Sequence, residues 1–190
     1  MCIISIAVVV LSLIAVAAIL IGVKMTQDHT EKIFQITHNE NGKETLETAT
    51  VNKDKGVATF YVTGVNTSAI VVYDYTNSVI GVKGDSSSCY VTKMDVKKVP
   101  SLDSISEKYQ SLQQSSSNSS ATHSQQSAYF KVQKEPVADR SLLGTTINVL
   151  CSNNPIYWMQ ESSDASNTRA YVCHYVKICI LWWCYLVCLY

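Results

Sequence analysis

The sequence lacks the short motifs that carry the common enzyme chemistries. It contains no G-x-S-x-G nucleophile elbow, no G-x-G-x-x-G or Walker loop for nucleotide phosphates, and no C-x-x-C redox pair. His123 lies in a serine-rich stretch, where a solvated side chain is the simplest interpretation. We therefore expect no enzymatic activity and no cofactor.

The chain also lacks an excess of charge of either sign. Lysine plus arginine and aspartate plus glutamate both number 15 in 190 residues. Nucleic-acid-binding proteins usually carry a net basic surface, so the composition argues against nucleic acid as a partner.

No charged residue occurs between Ile3 and Val23. At about 1.5 Å per helical residue this stretch is long enough to cross a bilayer core of roughly 30 Å. A cleaved signal peptide has a shorter apolar part and a basic start, whereas only Met1 and Cys2 come first here. We favour an uncleaved signal anchor at residues 1–23, and a cleaved signal peptide is the alternative.

Of the seven cysteines, all but Cys2 follow this apolar stretch. The even number that remains is typical of disulfide bonds in the secretory pathway. Cys89 and Cys151 lie far apart in the folded region, and a bridge between them would add about 4 kcal/mol by the loop-entropy argument. The sequons at Asn66 and Asn118 are compatible with glycosylation in the same compartment.

The terminal segment, residues 170–190, lacks glycine, proline, asparagine and aspartate. Its many β-branched, aromatic and cysteine residues are typical of an aggregation-prone strand. A hairpin with a central turn places Cys179 opposite Cys184, and places Cys173 near Cys188 but out of register. Zinc binding is the alternative for these cysteines, but their spacing has no metal-knuckle pair. We predict two bridges and no metal.

Four short β-rich segments separated by brief turns, at 57–62, 69–75, 79–83 and 89–94, predict an antiparallel meander. Two helix candidates follow, one beginning at Ser101 and one over residues 137–150. A polar low-complexity stretch at 113–127 lies between them and is expected to be a disordered loop. With a last strand at 156–159, we predict an α+β domain with an antiparallel sheet of about five strands flanked by two helices.

The sequence thus divides into a signal or anchor segment, a linker, a folded domain, a second linker and a terminal hairpin. Their predicted bounds are 1–23, 24–47, 48–160, 161–169 and 170–190. The first linker contains at most one short strand, around Ile33–Thr37. Arg169 ends the second linker, where cleavage would release the terminal hairpin; an ordinary linker charge is the alternative.

Several stretches of the domain resemble the BRICHOS domain family. They are Ala69–Tyr75, Ser88–Met94, Val99–Leu102, and Cys151 followed by Pro155–Trp158. The resemblance covers about residues 48–160, and the order of anchor, linker, domain and β-prone tail is similar to that of BRICHOS precursors. Among subfamilies, the tail is most similar to arenicin-type antimicrobial peptide precursors. Residues 71–75 also resemble surfactant protein C precursors.

The resemblance implies an intramolecular chaperone whose client is the hairpin at 170–190. It implies a precursor in the membrane of the secretory pathway, starting in the endoplasmic reticulum, held by residues 3–23 with its C-terminus in the lumen. A processing protease would cut after Arg169 and release a secreted, membrane-active antimicrobial peptide.

The resemblance also implies that Asp74, in the second predicted strand, senses acidification, because burial disfavours a charged carboxylate. A solvated carboxylate at a strand edge is the alternative. Two further functions stay open. One is a BRICHOS membrane protein whose tail is structural and not released, and the other is a general secreted chaperone that binds β-prone peptides by strand addition.

Overall fold

The computed structural model describes residues 10, 12–19, 31–40, 43–65, 68–85, 87–114, 126–162 and 174–189. The chain forms two compact units, Met1–Glu31 and Lys32–Tyr190. In the first unit, residues 12–19 are helical with exposed side chains. Within the described residues, no helix combines the length and apolar character needed to cross a bilayer. The anchor or signal peptide predicted at 1–23 lies largely outside the described residues.

The described part of the second unit contains ten strands, two α-helices and one short 3-10 turn. The strands are β1 (Lys32–Glu40), β2 (Lys43–Asn52), β3 (Val57–Thr63), β4 (Ser68–Asp74), β5 (Val79–Lys83), β6 (Cys89–Lys93), β7 (Gln126–Pro136), β8 (Ile156–Ser162), β9 (His174–Ile180) and β10 (Trp183–Leu189). The helices are α1 (Leu102–Gln114) and α2 (Gly144–Leu150), and the 3-10 turn is Arg140–Leu143.

All ten strands belong to one curled sheet with the order β1-β2-β3-β4-β5-β6-β8-β7-β10-β9. The strands from β1 to β6 form an antiparallel meander, as the sequence predicts for its central part. Two pairings are parallel, β6 with β8 and β7 with β10. Long intervening segments allow the chain to return in the same direction. The sheet is therefore mixed, and the prediction of a purely antiparallel sheet is wrong.

The prediction of about five strands is also wrong, because strands form on both sides of the predicted domain and a further strand, β7, forms inside it, beginning within the stretch 113–127 expected to be a disordered loop. β1 and β2 come largely from the segment expected to be a linker. Buried and exposed residues alternate along both strands, but the buried set includes Glu47 and the exposed set includes Ile33 and Leu46, so the alternation of apolar with polar residues is weak in the sequence. β9 and β10 form the predicted terminal hairpin, but this hairpin is part of the same sheet.

The first helix begins where the sequence predicts. The hydroxyl of Ser101 accepts a hydrogen bond from the backbone N–H of Ser104 at 3.2 Å, which is the geometry of a helix N-cap. Ile105 and Tyr109 form the buried face of α1.

The second predicted helix, at 137–150, is interrupted at Gly144. This residue has a φ of +68°, which favours glycine, and a Cβ there would overlap the side chains of Asp74 and Asn77. The chain therefore forms a 3-10 turn before Gly144 and the short helix α2 after it.

The core has two parts, on opposite faces of β4. Val71 and Tyr73 belong to the larger cluster, which includes α1 and the terminal hairpin. Val72, between them, belongs to the smaller cluster, which includes Ile147 of α2. Since successive side chains of a strand point to opposite faces, the sheet separates the hairpin from α2.

Candidate functional site

The terminal hairpin, defined here as β9, β10 and the turn residues between them, is the segment that the sequence singles out. Its strands pair antiparallel, with Ile180 opposite Trp183 and Cys179 opposite Cys184. Leu181 and Trp182 form the turn. A disulfide joins Cys179 to Cys184 beside this turn, the same pair that the sequence analysis names. The bridge closes the hairpin at its tip.

The hairpin extends the sheet at the strand β7. β10 runs parallel to β7, with a register from Trp183 opposite Gln126 to Cys188 opposite Lys131. The backbone N–H of Gln126 also donates to the carbonyl oxygen of Trp182 at 3.1 Å. In the sheet order, β7 would be an edge strand without the hairpin. An edge strand offers a row of unpaired N–H and C=O groups, and β10 uses this row by strand addition.

Apolar side chains of the hairpin complete the larger core cluster. Burying one aliphatic side chain fully is worth about 1.5–3 kcal/mol, so several such residues contribute a large part of the binding free energy. The buried ones are Ile178, Ile180, Leu181, Tyr185 and Val187. The hairpin is thus held by its backbone at β7 and by its side chains in the core.

The turn residue Trp182 packs against three groups of the domain. Its ring meets Phe60 and Tyr109 edge to face, with centroid distances of 5.5 and 6.0 Å. Nζ of Lys108 lies 5.5 Å from the centre of the indole ring. Each aromatic pair is worth about 0.5–1.5 kcal/mol beyond burial, and the cation adds about 0.5–1 kcal/mol. Because Lys108 and Tyr109 belong to α1, this helix holds the tip of the hairpin.

A hydrogen bond between two phenols joins the middle of the hairpin to β4. The hydroxyl of Tyr185 donates to the hydroxyl oxygen of Tyr73 at 2.8 Å, and both residues are 1% exposed. Burial raises the pKa of both phenols above the usual value for tyrosine. The hydrogen bond between the two phenols satisfies part of the hydrogen-bonding need of each buried hydroxyl.

A buried carboxylate lies under the turn. Glu47 of β2 is 2% exposed and accepts a hydrogen bond from the hydroxyl of Tyr109. Its Oε1 also accepts from the backbone N–H of Leu181 at 3.3 Å. Burial, and next the charge of Glu47, raise the pKa of the Tyr109 phenol. Sequence reasoning missed Glu47, because it lies in the stretch expected to be a linker; its alternation with the buried Ala49 and Val51 is the only local signal.

Asp74 lies at the end of β4 and is 2% exposed. Its two carboxylate oxygens accept hydrogen bonds from the backbone N–H and the side-chain amide of Asn77, each at 2.9 Å. It faces the start of α2, on the side of the sheet that carries Val72. The structure therefore places Asp74 away from the hairpin, and its pH-sensing role stays a prediction.

The other predicted site residues fall into two groups. Cys89 and Cys151 form a disulfide that joins β6 to the end of α2, with their Cα atoms 6.0 Å apart. Cys188 is disulfide-bonded. Its predicted partner and the predicted cleavage and glycosylation sites lie outside the described residues, namely Cys173, Arg169, Asn66 and Asn118. In the part of the chain that is described, no three His, Cys, Asp or Glu residues form a metal-binding group.

Comparisons with known proteins agree on one family. The BRICHOS domain profile matches residues 65–158. Surfactant protein C of Neovison vison is 31% identical over 146 residues, which cover 76% of this chain and 74% of that protein. Gastrokine-2 of Mus musculus is 30% identical over 139 residues, which cover 69% of this chain and 72% of that protein. These relatives do not support the predicted likeness to arenicin-type precursors. No solved structure matches the chain.

Proposed function

Because this chain belongs to the BRICHOS family, we propose that its folded unit acts as an intramolecular chaperone for its own terminal hairpin. The observation that carries the proposal is that the hairpin binds the domain in two ways, through its backbone and through its side chains. β10 adds to the edge of β7, while Trp182 and Tyr185 enter the core. Unpaired strand edges and exposed apolar side chains are the features that drive strand aggregation. The domain covers these features on β10.

The hairpin depends on the domain for more than protection. An isolated two-stranded hairpin is marginally stable in water at best. The Cys179–Cys184 bridge spans a sequence separation of only 5, so by the loop-entropy argument it contributes about 2 kcal/mol, less than a bridge across a long loop. Because client and chaperone are parts of one chain, their effective concentration is high without any further contact. These points support a domain that keeps the hairpin folded and covers β10.

Hydrogen exchange on the full chain tests the proposal. With several buried side chains at about 1.5–3 kcal/mol each, we expect amides of β10 to exchange more than about 100-fold more slowly than those of an oxidised peptide of residues 170–190. The strands β3 and β4 of the same chain serve as an internal reference. The proposal fails if these strands are protected while β10 exchanges like the peptide.

The proposal includes the secretory pathway as the location. The Cys89–Cys151 and Cys179–Cys184 bridges both support an oxidising compartment. We further propose that residues 3–23 attach the precursor to the membrane with its C-terminus in the lumen.

The finer part of the proposal is that a protease releases the hairpin after Arg169 as a membrane-active antimicrobial peptide. Trp182 in the turn and Trp183 next to it support this part, because tryptophan is enriched at membrane interfaces. Lys177, exposed on β9, supplies a positive charge. Mass spectrometry of secreted material should find a species of residues 170–190 with two internal disulfides. Recovery of only the intact C-terminus would favour an unreleased structural tail.

A general chaperone for other β-prone peptides is the second candidate function. The open edge that β7 would present after loss of the hairpin favours it. This candidate predicts that the chain, once cleaved, suppresses aggregation of an unrelated β-prone peptide, and a cleaved chain without this effect would argue against it.

A further inference from the structure

The carboxylate of Glu47 connects three distant parts of the chain. It belongs to β2, accepts a hydrogen bond from Tyr109 of α1, and accepts another from Leu181 in the hairpin turn, 134 positions away in sequence. Burying a carboxylate is costly unless hydrogen bonds compensate for the lost water. The docked hairpin supplies one of these hydrogen bonds.

The N–H of Leu181 has a special place in the hairpin. Ile180 and Trp183 are opposite each other, so Leu181 is the first of the two central turn residues. In such a turn the hydrogen bond joins the outer residues, and the N–H of the first central residue has no partner within the hairpin. An extended strand added to β7 would also carry unpaired N–H groups, but these lie along its free edge, whereas the N–H of Leu181 lies at the end of the hairpin, where the chain reverses. The N–H that Glu47 binds is therefore a mark of a hairpin end.

The hydrogen bond between Glu47 and Leu181 also fixes the register of β10 against β7, which the backbone hydrogen bonds of β7 alone do not determine. Backbone hydrogen bonds along β7 accept any extended chain, and a shift by one residue would turn every side chain of β10 to the other face. With the turn held at Glu47, Trp183 lies opposite Gln126 and Tyr185 points into the core. Trp182, next to the bound N–H, then enters the pocket formed by Phe60 and Tyr109.

We propose that Glu47 is a specificity-determining residue that selects the hairpin form of the client. The ligand class is a β-hairpin with a two-residue turn, an apolar residue first and an aromatic residue second. The inference rests on the proposed chaperone function and deepens it. Glu47 precedes the residues 65–158 matched by the family profile, so the selecting group lies on β2, outside the matched range.

The test compares changes on the two sides of this hydrogen bond in the full chain, with hydrogen exchange of β10 as the measurement. On the domain side, Glu47→Ala removes the acceptor and Glu47→Gln keeps an acceptor oxygen. On the hairpin side, the α-hydroxy analogue of leucine at position 181 replaces the N–H by an ester oxygen and leaves every side chain in place. Glu44→Ala is the matched control, because Glu44 is an exposed carboxylate on the same strand.

We expect Glu47→Ala and the ester each to speed exchange of β10 by about 10-fold or more, the usual size for a hydrogen bond to a charged group. The two changes together should cost no more than the larger of them, Glu47→Gln should restore part of the protection, and Glu44→Ala should change nothing. The inference would be overturned if the ester left the exchange rate of β10 unchanged. It would also be overturned if the two changes acted independently, so that the fold-change of the double variant equalled the product of the two single fold-changes.

The outcomes separate this inference from the chaperone proposal. A wild-type hairpin that exchanges as fast as the free peptide would overturn both. A protected wild-type hairpin that the ester leaves unchanged would overturn the role of Glu47 alone. If Glu47→Ala does not fold, the ester and Glu47→Gln still decide, since neither removes a side chain from the core.

Discussion

Replacing both Cys89 and Cys151 by serine should lower the free energy of unfolding by about 4 kcal/mol. The bridge closes a sequence separation of 62, so its loss restores much entropy to the unfolded chain. Both cysteines are fully buried, and the serine hydroxyls that replace their sulfur atoms would need hydrogen-bond partners in an apolar cluster. Since domains are stable by only about 5–15 kcal/mol, this loss is large. Denaturant unfolding followed by intrinsic fluorescence measures it.

The matched control is the double substitution Cys179→Ser and Cys184→Ser. This bridge spans a separation of 5, and the same entropy argument gives about 2 kcal/mol. An equal loss for the two pairs would contradict the loop-length explanation.

Tyr185→Ala should detach the hairpin from the domain at a cost of about 3–5 kcal/mol, the usual range for removing a buried aromatic ring. The ring packs against Phe130 with a centroid distance of 5.6 Å, and the hydroxyl donates to Tyr73. The substitution leaves a cavity and takes a hydrogen-bond partner from a buried phenol. We expect faster hydrogen exchange of β10 and earlier aggregation of the full chain.

Leu186→Ala is the control for this prediction, because Leu186 is the next residue on β10 and points to the other face, where it is half-buried. Its effect should be clearly smaller. Tyr185→Phe isolates the hydroxyl and should cost about 1 kcal/mol. Equal effects of the two alanine substitutions would show that the hairpin is held by its backbone at β7 and not by its side chains.

Local patterns in the sequence predicted the elements that depend on local interactions. The cap at Ser101 marks the start of α1, and the spacing of Cys179 and Cys184 gives the hairpin turn. The second helix candidate contains Gly144, a residue of low helix propensity, and the structure shows the helix interrupted there. Each of these features involves residues only a few positions apart.

The features that could not be predicted from the sequence depend on contacts between segments that are far apart in the chain. Nothing local indicates that β10 pairs with β7, because a parallel edge pairing requires only backbone groups. β1 and β2 have mostly polar outer faces, and they resemble a linker until their buried residues are seen in one core cluster with those of α1. Glu47 looks like one of many surface carboxylates in the sequence. Only the folded chain shows that it lies under the turn of a segment 134 positions away.

The order of the strands along the chain has a consequence for biosynthesis. β7 and β8 are both complete before residue 174, and the hairpin follows them. Since domains fold from the N-terminus as the ribosome delivers the chain, the receiving edge is translated ahead of the segment that fills it. The nascent protein thus has its acceptor strand in place when its most adhesive residues emerge.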